Sequence, residues 1–85
     1  MAFYQRTRDE HWLHDKHDEG KTLILEDDSR WEVHPEDRSI TARWLRGSTI
    51  LVEHRPKEKY PFVLRNRTEG EVARANFQAE FRAVG

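Results

Sequence analysis

The chain has 85 residues, 35% of them hydrophobic and 36% charged, and a formal net charge of -1 with neutral histidines. That length holds one domain with a small core, and the near-zero charge gives no global field that would favour nucleic acid or a membrane surface. There is no cysteine, which excludes a disulfide staple, a thiolate zinc site and a cysteine nucleophile.

Three Trp, two Tyr and four Phe argue for a packed core rather than disorder. The start, MAFYQRTRDE, lacks an apolar h-region, so no signal peptide is expected. No stretch approaches the ~18 apolar residues of a membrane span. The expectation is a cytoplasmic protein without a membrane partner.

Residues 1–9 read as a flexible lead, and residues 10–85 as a single β-barrel domain. Residues 11–17 fit a first strand with Trp12 facing inward beside His14 and Lys16, because Gly20 just before TLIL signals a hairpin. TLILE (22–26) is rich in β-formers, and RWEVH (30–34) alternates, with Trp31 and Val33 on one side. Between them lie Glu26, Asp27 and Asp28. Consecutive acids lack the alternate spacing of a calcium loop, and neighbouring strand residues face opposite sides, so this stretch reads as the tip of a hairpin.

HPEDRS (34–39) forms a corner around Pro35. SITARWL (39–45) fits two templates. Ile and Thr favour an extended segment after a short turn, while Ile40 and Trp44 at i,i+4 leave a one-turn helix open. STILVEH (48–54) is the strongest strand, and RPKEK (55–59) a charged loop. YPFVLRN (60–66) is a strand with Tyr60, Phe62 and Leu64 on one face; Pro61 places its start at a sheet edge. RTEG (67–70) is a turn. EVARANF (71–77) puts Ala73, Ala75 and Phe77 on one side and Val72 and Arg74 on the other, and QAEFRAVG is a tail with a short helical turn.

Five to six short antiparallel strands at this length predict a mainly β fold, a small SH3-like or OB-like barrel. The expected core is Leu25, Trp31, Val33, Trp44, Ile50, Val52, Phe62 and Leu64.

The segments DEGKTLILEDDSRWEVHPED, WLRGSTILVEH and YPFVLRNRTEGEVARA resemble a class of small, mostly bacterial β-barrel proteins of unassigned function. Their glycine-led strand, LxDGSxWxV-like hairpin, WxxGxxVxV-like strand and NxTxGE turn correspond to Gly20, Leu25–Val33, Trp44–Val52 and Asn66–Glu71. The resemblance spans roughly two-thirds of the chain and departs at position 28, where Asp stands in place of the hairpin glycine. It implies an SH3-like or OB-like barrel and no activity.

Charge is unevenly placed. Residues 26–37 hold six acids against Arg30, and residues 54–67 hold five bases against Glu58. His11, His14 and His17 would lie ~60° apart on a helix, but a strand separates His14 from the other two, so no metal site is assigned and no cofactor is expected. No Gly-x-Ser-x-Gly motif or glycine-rich phosphate loop occurs, and a core this small leaves little room for a catalytic pocket. The expected function is therefore a non-enzymatic protein-interaction module, taking an unknown partner by strand addition or in a loop groove, or associating with itself. The alternative is a barrel for single-stranded nucleic acid, because Tyr60 and Phe62 lie between basic side chains. Either surface would use Arg55, Lys57, Lys59, Tyr60, Arg65 and Arg67.

Overall fold

The computed structural model describes residues 9–80, with side chains described through residue 78. The expected flexible lead therefore falls almost wholly outside the described residues, as do residues 81–85. Six strands run in the order β1 (Glu10–His17), β2 (Thr22–Leu25), β3 (Ser29–Val33), β4 (Thr49–His54), β5 (Phe62–Asn66) and β6 (Glu71–Glu80). They close as β1-β2-β3-β6-β5-β4, every neighbouring pair antiparallel and β4 returning to β1. This is the mainly β, small closed barrel expected from the strand rhythm.

Two three-strand meanders build it, β1-β2-β3 and β4-β5-β6, joined by the one crossing segment that carries α1 (Arg38–Thr41). The interior holds Leu13, Leu23, Leu25, Trp31, Val33, Trp44, Ile50, Val52, Phe62, Leu64, Ala73 and Ala75. All eight expected core residues are among them. Trp31 meets Phe62 edge-on at a centroid distance of 5.1 Å and Phe77 at the same distance in a tilted contact. Such aromatic pairs add about 0.5–1.5 kcal/mol beyond their buried area. The indole N–H groups inside the barrel are both satisfied: Trp31 Nε1 donates to Ser29 Oγ at 2.9 Å, and Trp44 Nε1 donates to Glu71 Oε1 at 2.9 Å.

The β2–β3 connection is a turn in which Asp28 N donates to the Leu25 carbonyl at 3.0 Å. Asp28 has φ of 65°, the left-handed residue that follows a type I turn in a three-residue hairpin. Asp tolerates that region better than most side chains, which explains why the hairpin forms without the glycine. The β1–β2 connection, residues 18–21, packs closely against α1. Gly20 has φ of 93°, and a Cβ there would meet Ala42 N and Thr41 Oγ1, each at 2.6 Å. Here glycine is required by both conformation and close approach.

Four expectations are corrected. Trp12 faces solvent (53% exposed), while His11 and Leu13 are buried. Trp12 and Leu13 are adjacent and cannot both point inward. Leu13 pairs with Leu25 inside the barrel, and a register shift between Leu13 and Asp15 breaks the alternation beyond it. Residues 38–41 are helical, not extended. Pro35 opens a short 3-10 turn that leads into them, and the turn delivers Trp44 to the interior. β5 lies between β4 and β6 rather than at an edge. It begins at Phe62, so Pro61 withholds no ladder donor, and the Pro61 carbonyl instead accepts from Arg55 N. Finally, residues 78–80 extend β6, pairing Ser29 with Glu80, where a tail was expected.

Closure has a functional consequence. β1 is paired on both sides, as are the other five strands, so the described sheet offers no free edge for strand addition. No helix among the described residues is long and apolar enough to cross a membrane.

Candidate functional site: a groove across β4, β5 and β6

The outer face of the second meander is set by two cross-strand rows. Glu53 pairs with Val63, and Val63 with Arg74; Leu51 pairs with Arg65, and Arg65 with Val72. Alternation sends all six side chains outward. Even so, Val63 is only 5% exposed; its cross-strand neighbours, Glu53 and Arg74, both carry longer side chains. Arginine stems cover apolar surface while their charged heads stay in water.

Around Val63 lie two hollows. One, of about 230 Å³, is lined by His34, Arg55, Glu58, Lys59, Tyr60, Val63 and Arg74. The other, of about 370 Å³, is lined by Asp37, Ile40, Arg55, Val63, Arg65, Val72, Ala73 and Arg74. They share Arg55, Val63 and Arg74, and so form one groove with an aliphatic floor and an arginine rim. Val72, 44% exposed, extends the floor toward solvent.

The rim is held by ion pairs. Arg65 Nε donates to Glu53 Oε2 at 2.8 Å, and Arg55 Nη2 lies 3.6 Å from Glu53 Oε1. Arg74 grips Asp37 with two nitrogens, Nε at 2.9 Å and Nη2 at 3.0 Å, and its backbone N donates to the same carboxylate at 2.8 Å. Arg74 Nη2 also reaches Glu36 Oε1 at 3.3 Å. The Arg74 hydrogen bond holds the Asp37 carboxyl below its ordinary value of 3.8 and raises the guanidinium in turn. Arg65 does the same for Glu53. Such bidentate pairs fix geometry more than they add stability at an exposed surface.

One end of the groove is aromatic. The rings of His34 and Tyr60 lie 4.6 Å apart at 50°. His34 Nδ1 accepts from Glu36 N at 3.0 Å, and His34 N donates to the Arg74 carbonyl at 2.8 Å. The 34–37 turn therefore clamps the aromatic end and the Arg74 pair together. Lys59 lines this end, and it makes no ion pair among the described residues.

Of the six residues expected from sequence, Arg55, Lys59, Tyr60 and Arg65 meet at this groove. Lys57 stands in the exposed 55–59 loop and lines neither hollow. Arg67 lies at the opposite end of the β4–β5 hairpin: its N donates to the Thr49 carbonyl at 2.8 Å, and it lines a separate hollow with Glu10, Thr49 and Thr68. Sequence reasoning missed His34, Val63 and Arg74. Arg74 was legible as outward-facing, but its pairing opposite Val63 is a property of register between strands. Phe62 is buried in the core at 4% exposure and stacks on His54 at 4.7 Å, so it does not offer a face to a base.

A second grouping lies on the other meander. His11 Nδ1 faces Glu26 Oε1 at 2.9 Å and Asp27 Oδ2 at 3.8 Å. Glu26 and Asp27 do sit in the expected hairpin turn. The two-residue alternation that would separate their side chains applies to strands, not to the middle of a turn, and here both converge on one histidine. His14 and His17 are exposed and do not join them.

The fold class and the groove stand without a relative to compare: no family model, no curated protein and no solved structure matches the chain.

Proposed function

We propose that this protein is a non-enzymatic interaction module of the cytoplasm, an SH3-like or OB-like barrel whose β4–β5–β6 groove binds an acidic, partly aliphatic segment of a protein partner. The observation that carries this reading is the continuity of the two hollows through Arg55, Val63 and Arg74. An aliphatic floor with guanidinium donors along its rim suits a chain that alternates apolar and carboxylate side chains. The aromatic end, His34 and Tyr60, supplies a rigid anchor of the kind that concentrates binding energy. Strand addition plays no part in the reading, because the barrel is closed. The cysteine-free composition fits a reducing compartment.

The nucleic-acid alternative is weaker on the same geometry. A non-specific binder gains affinity by releasing counterions from phosphates, which needs an excess of free positive charge. Here Glu53, Asp37 and Glu36 sit among the groove arginines and the Tyr60 ring is engaged with His34, so it is the aliphatic floor, Ile40, Val63 and Val72, rather than free charge that favours a peptide.

Fluorescence anisotropy with labelled acidic-aliphatic peptides, run beside oligo-dT and oligo-U at low salt, tests the choice. The expected result is saturable peptide binding, with amide shifts at Val63, Val72 and Arg74 in NMR spectra. Micromolar oligonucleotide binding with a steep salt slope, or peptide shifts centred on Arg67 and Thr68, would overturn it.

A further inference from the structure

We propose that His11, Glu26 and Asp27 form a binding site for a divalent transition-metal cation of the zinc or cobalt class. The three residues come from two elements that the β1–β2 pairing brings together: His11 from β1, and the two acids from the β2–β3 turn. Their ligand atoms all lie within 4.8 Å of one another. His11 Nδ1 is 2.9 Å from Glu26 Oε1, 3.1 Å from Glu26 Oε2 and 3.8 Å from Asp27 Oδ2. Two atoms each bound at ~2.0–2.2 Å to one tetrahedral or octahedral cation stand ~3.0–3.5 Å apart. The separations from His11 Nδ1 bracket that range, and the two carboxylates lie within 4.8 Å of each other, so rotation of the acid side chains about a shared cation would complete the site.

The ligands are already held. Glu26 Oε1 accepts from Trp12 N at 3.0 Å. Asp27 Oδ1 accepts from Ser29 N at 3.0 Å and from Ser29 Oγ at 2.6 Å, and that hydroxyl accepts in turn from Trp31 Nε1. These bonds reach from the acids into the core and supply the outer support that metal ligands commonly have. They engage Asp27 through Oδ1 and present Oδ2 toward His11. The side chains of His11 and Asp27 are 2% and 1% exposed, whereas Glu26 is 18% exposed and opens the site to solvent.

Binding takes a proton off Nδ1, which moves to Nε2 in a neutral ring or to solvent from a charged one. The cation then bonds to Nδ1 and to both carboxylates, and water fills the remaining positions. One imidazole nitrogen with carboxylate oxygens and no sulfur suits borderline cations over soft ones. Two further histidine–acid contacts among the described residues, His17 with Asp15 at 3.4 Å and His34 with Glu36 at 3.9 Å, offer pairs rather than three convergent ligands.

The test uses the full chain freed of metal by a chelator and titrated with zinc chloride, with calorimetry for stoichiometry and imidazole nitrogen NMR for the site. One equivalent of zinc should bind and move the His11 Nδ1 resonance, and cobalt should give visible absorption at the same stoichiometry. Glu26→Gln and Asp27→Asn should each weaken binding by about tenfold or more, while His17→Gln should leave it unchanged. Glu26 is the most exposed ligand, so Glu26→Gln keeps the test open even where substitution of His11 prevents folding. The proposal is overturned by no binding at about 1 mM zinc, by shifts confined to His14, His17, His34 or His54, or by parental affinity in both acid variants.

Discussion

Thr41 Oγ1 donates to the Gly20 carbonyl at 2.7 Å across 21 positions of sequence. This bond ties the single-turn helix between the two meanders to the first hairpin, at a point where both groups are buried. Thr41→Val keeps the shape and removes the donor, leaving a buried carbonyl without its partner. The expected cost is about 1–3 kcal/mol, read as a lower midpoint in urea with an unchanged slope.

The other half of the same contact tests the space around Gly20. Gly20→Ala forces a side chain into the left-handed region and against the α1 backbone. It should cost about 2–4 kcal/mol. Gly70, with φ of 72° and open space where a Cβ would go, is the control: Gly70→Ala carries the conformational strain alone, about 1 kcal/mol. Equal losses at the two sites in thermal or urea unfolding would show that close packing of α1 on the hairpin is not what demands glycine.

Acid should release the clamp beside the groove. The Arg74 hydrogen bond depresses the Asp37 carboxyl below 3.8 in the folded protein. A depressed carboxyl favours folding above its unfolded value, and that contribution is lost as pH falls through the lower, folded value. Stability should therefore fall on acidification below about pH 4, and Asp37→Asn should flatten this limb of the pH–stability curve relative to the parent. Parallel curves for the two proteins would assign the acid sensitivity elsewhere, with Glu53, also depressed by its arginine, the next group to substitute.

Within the groove the residues should not contribute equally. Tyr60→Ala and Arg55→Ala should each weaken an acidic-aliphatic peptide by about 1–3 kcal/mol, as anchors at an interface centre do. Arg67→Ala, at the far end of the β4–β5 hairpin, should change affinity by less than about 0.5 kcal/mol. Lys59→Ala should act mainly on the association rate and its salt dependence. A titration series by anisotropy with stopped-flow rates separates these outcomes, and an Arg67 effect equal to that of Tyr60 would move the surface off the groove.

Much of the barrel is written in local pattern. The alternation of Trp31 with Val33, of Ile50 with Val52 and of Phe62 with Leu64 gives the facing of each strand without knowledge of its partner, because side chains in a strand repeat every two residues. Asp28 and Gly20 mark their turns through backbone conformation, which is also a local property. Where two apolar residues are adjacent, as Trp12 and Leu13 are, local pattern cannot choose the inward one. The choice fell to Leu13 through its pairing with Leu25.

What belongs to tertiary structure is everything that depends on which strands meet. Arg74 becomes a groove residue because β6 pairs with β5 in the register that sets it beside Val63, and because the 34–37 turn brings Asp37 under its guanidinium. His11 meets Glu26 and Asp27 because β1 pairs with β2 across the first hairpin. Arg55 and Arg67, twelve positions apart in one basic stretch, part company because a five-residue strand, β5, runs between their ends. Sequence alone settled inside from outside wherever apolar and polar residues alternate, though not at Trp12 and Leu13; register and closure settled which outside residues became neighbours, since those contacts join segments whose spacing in the chain carries no periodic signal.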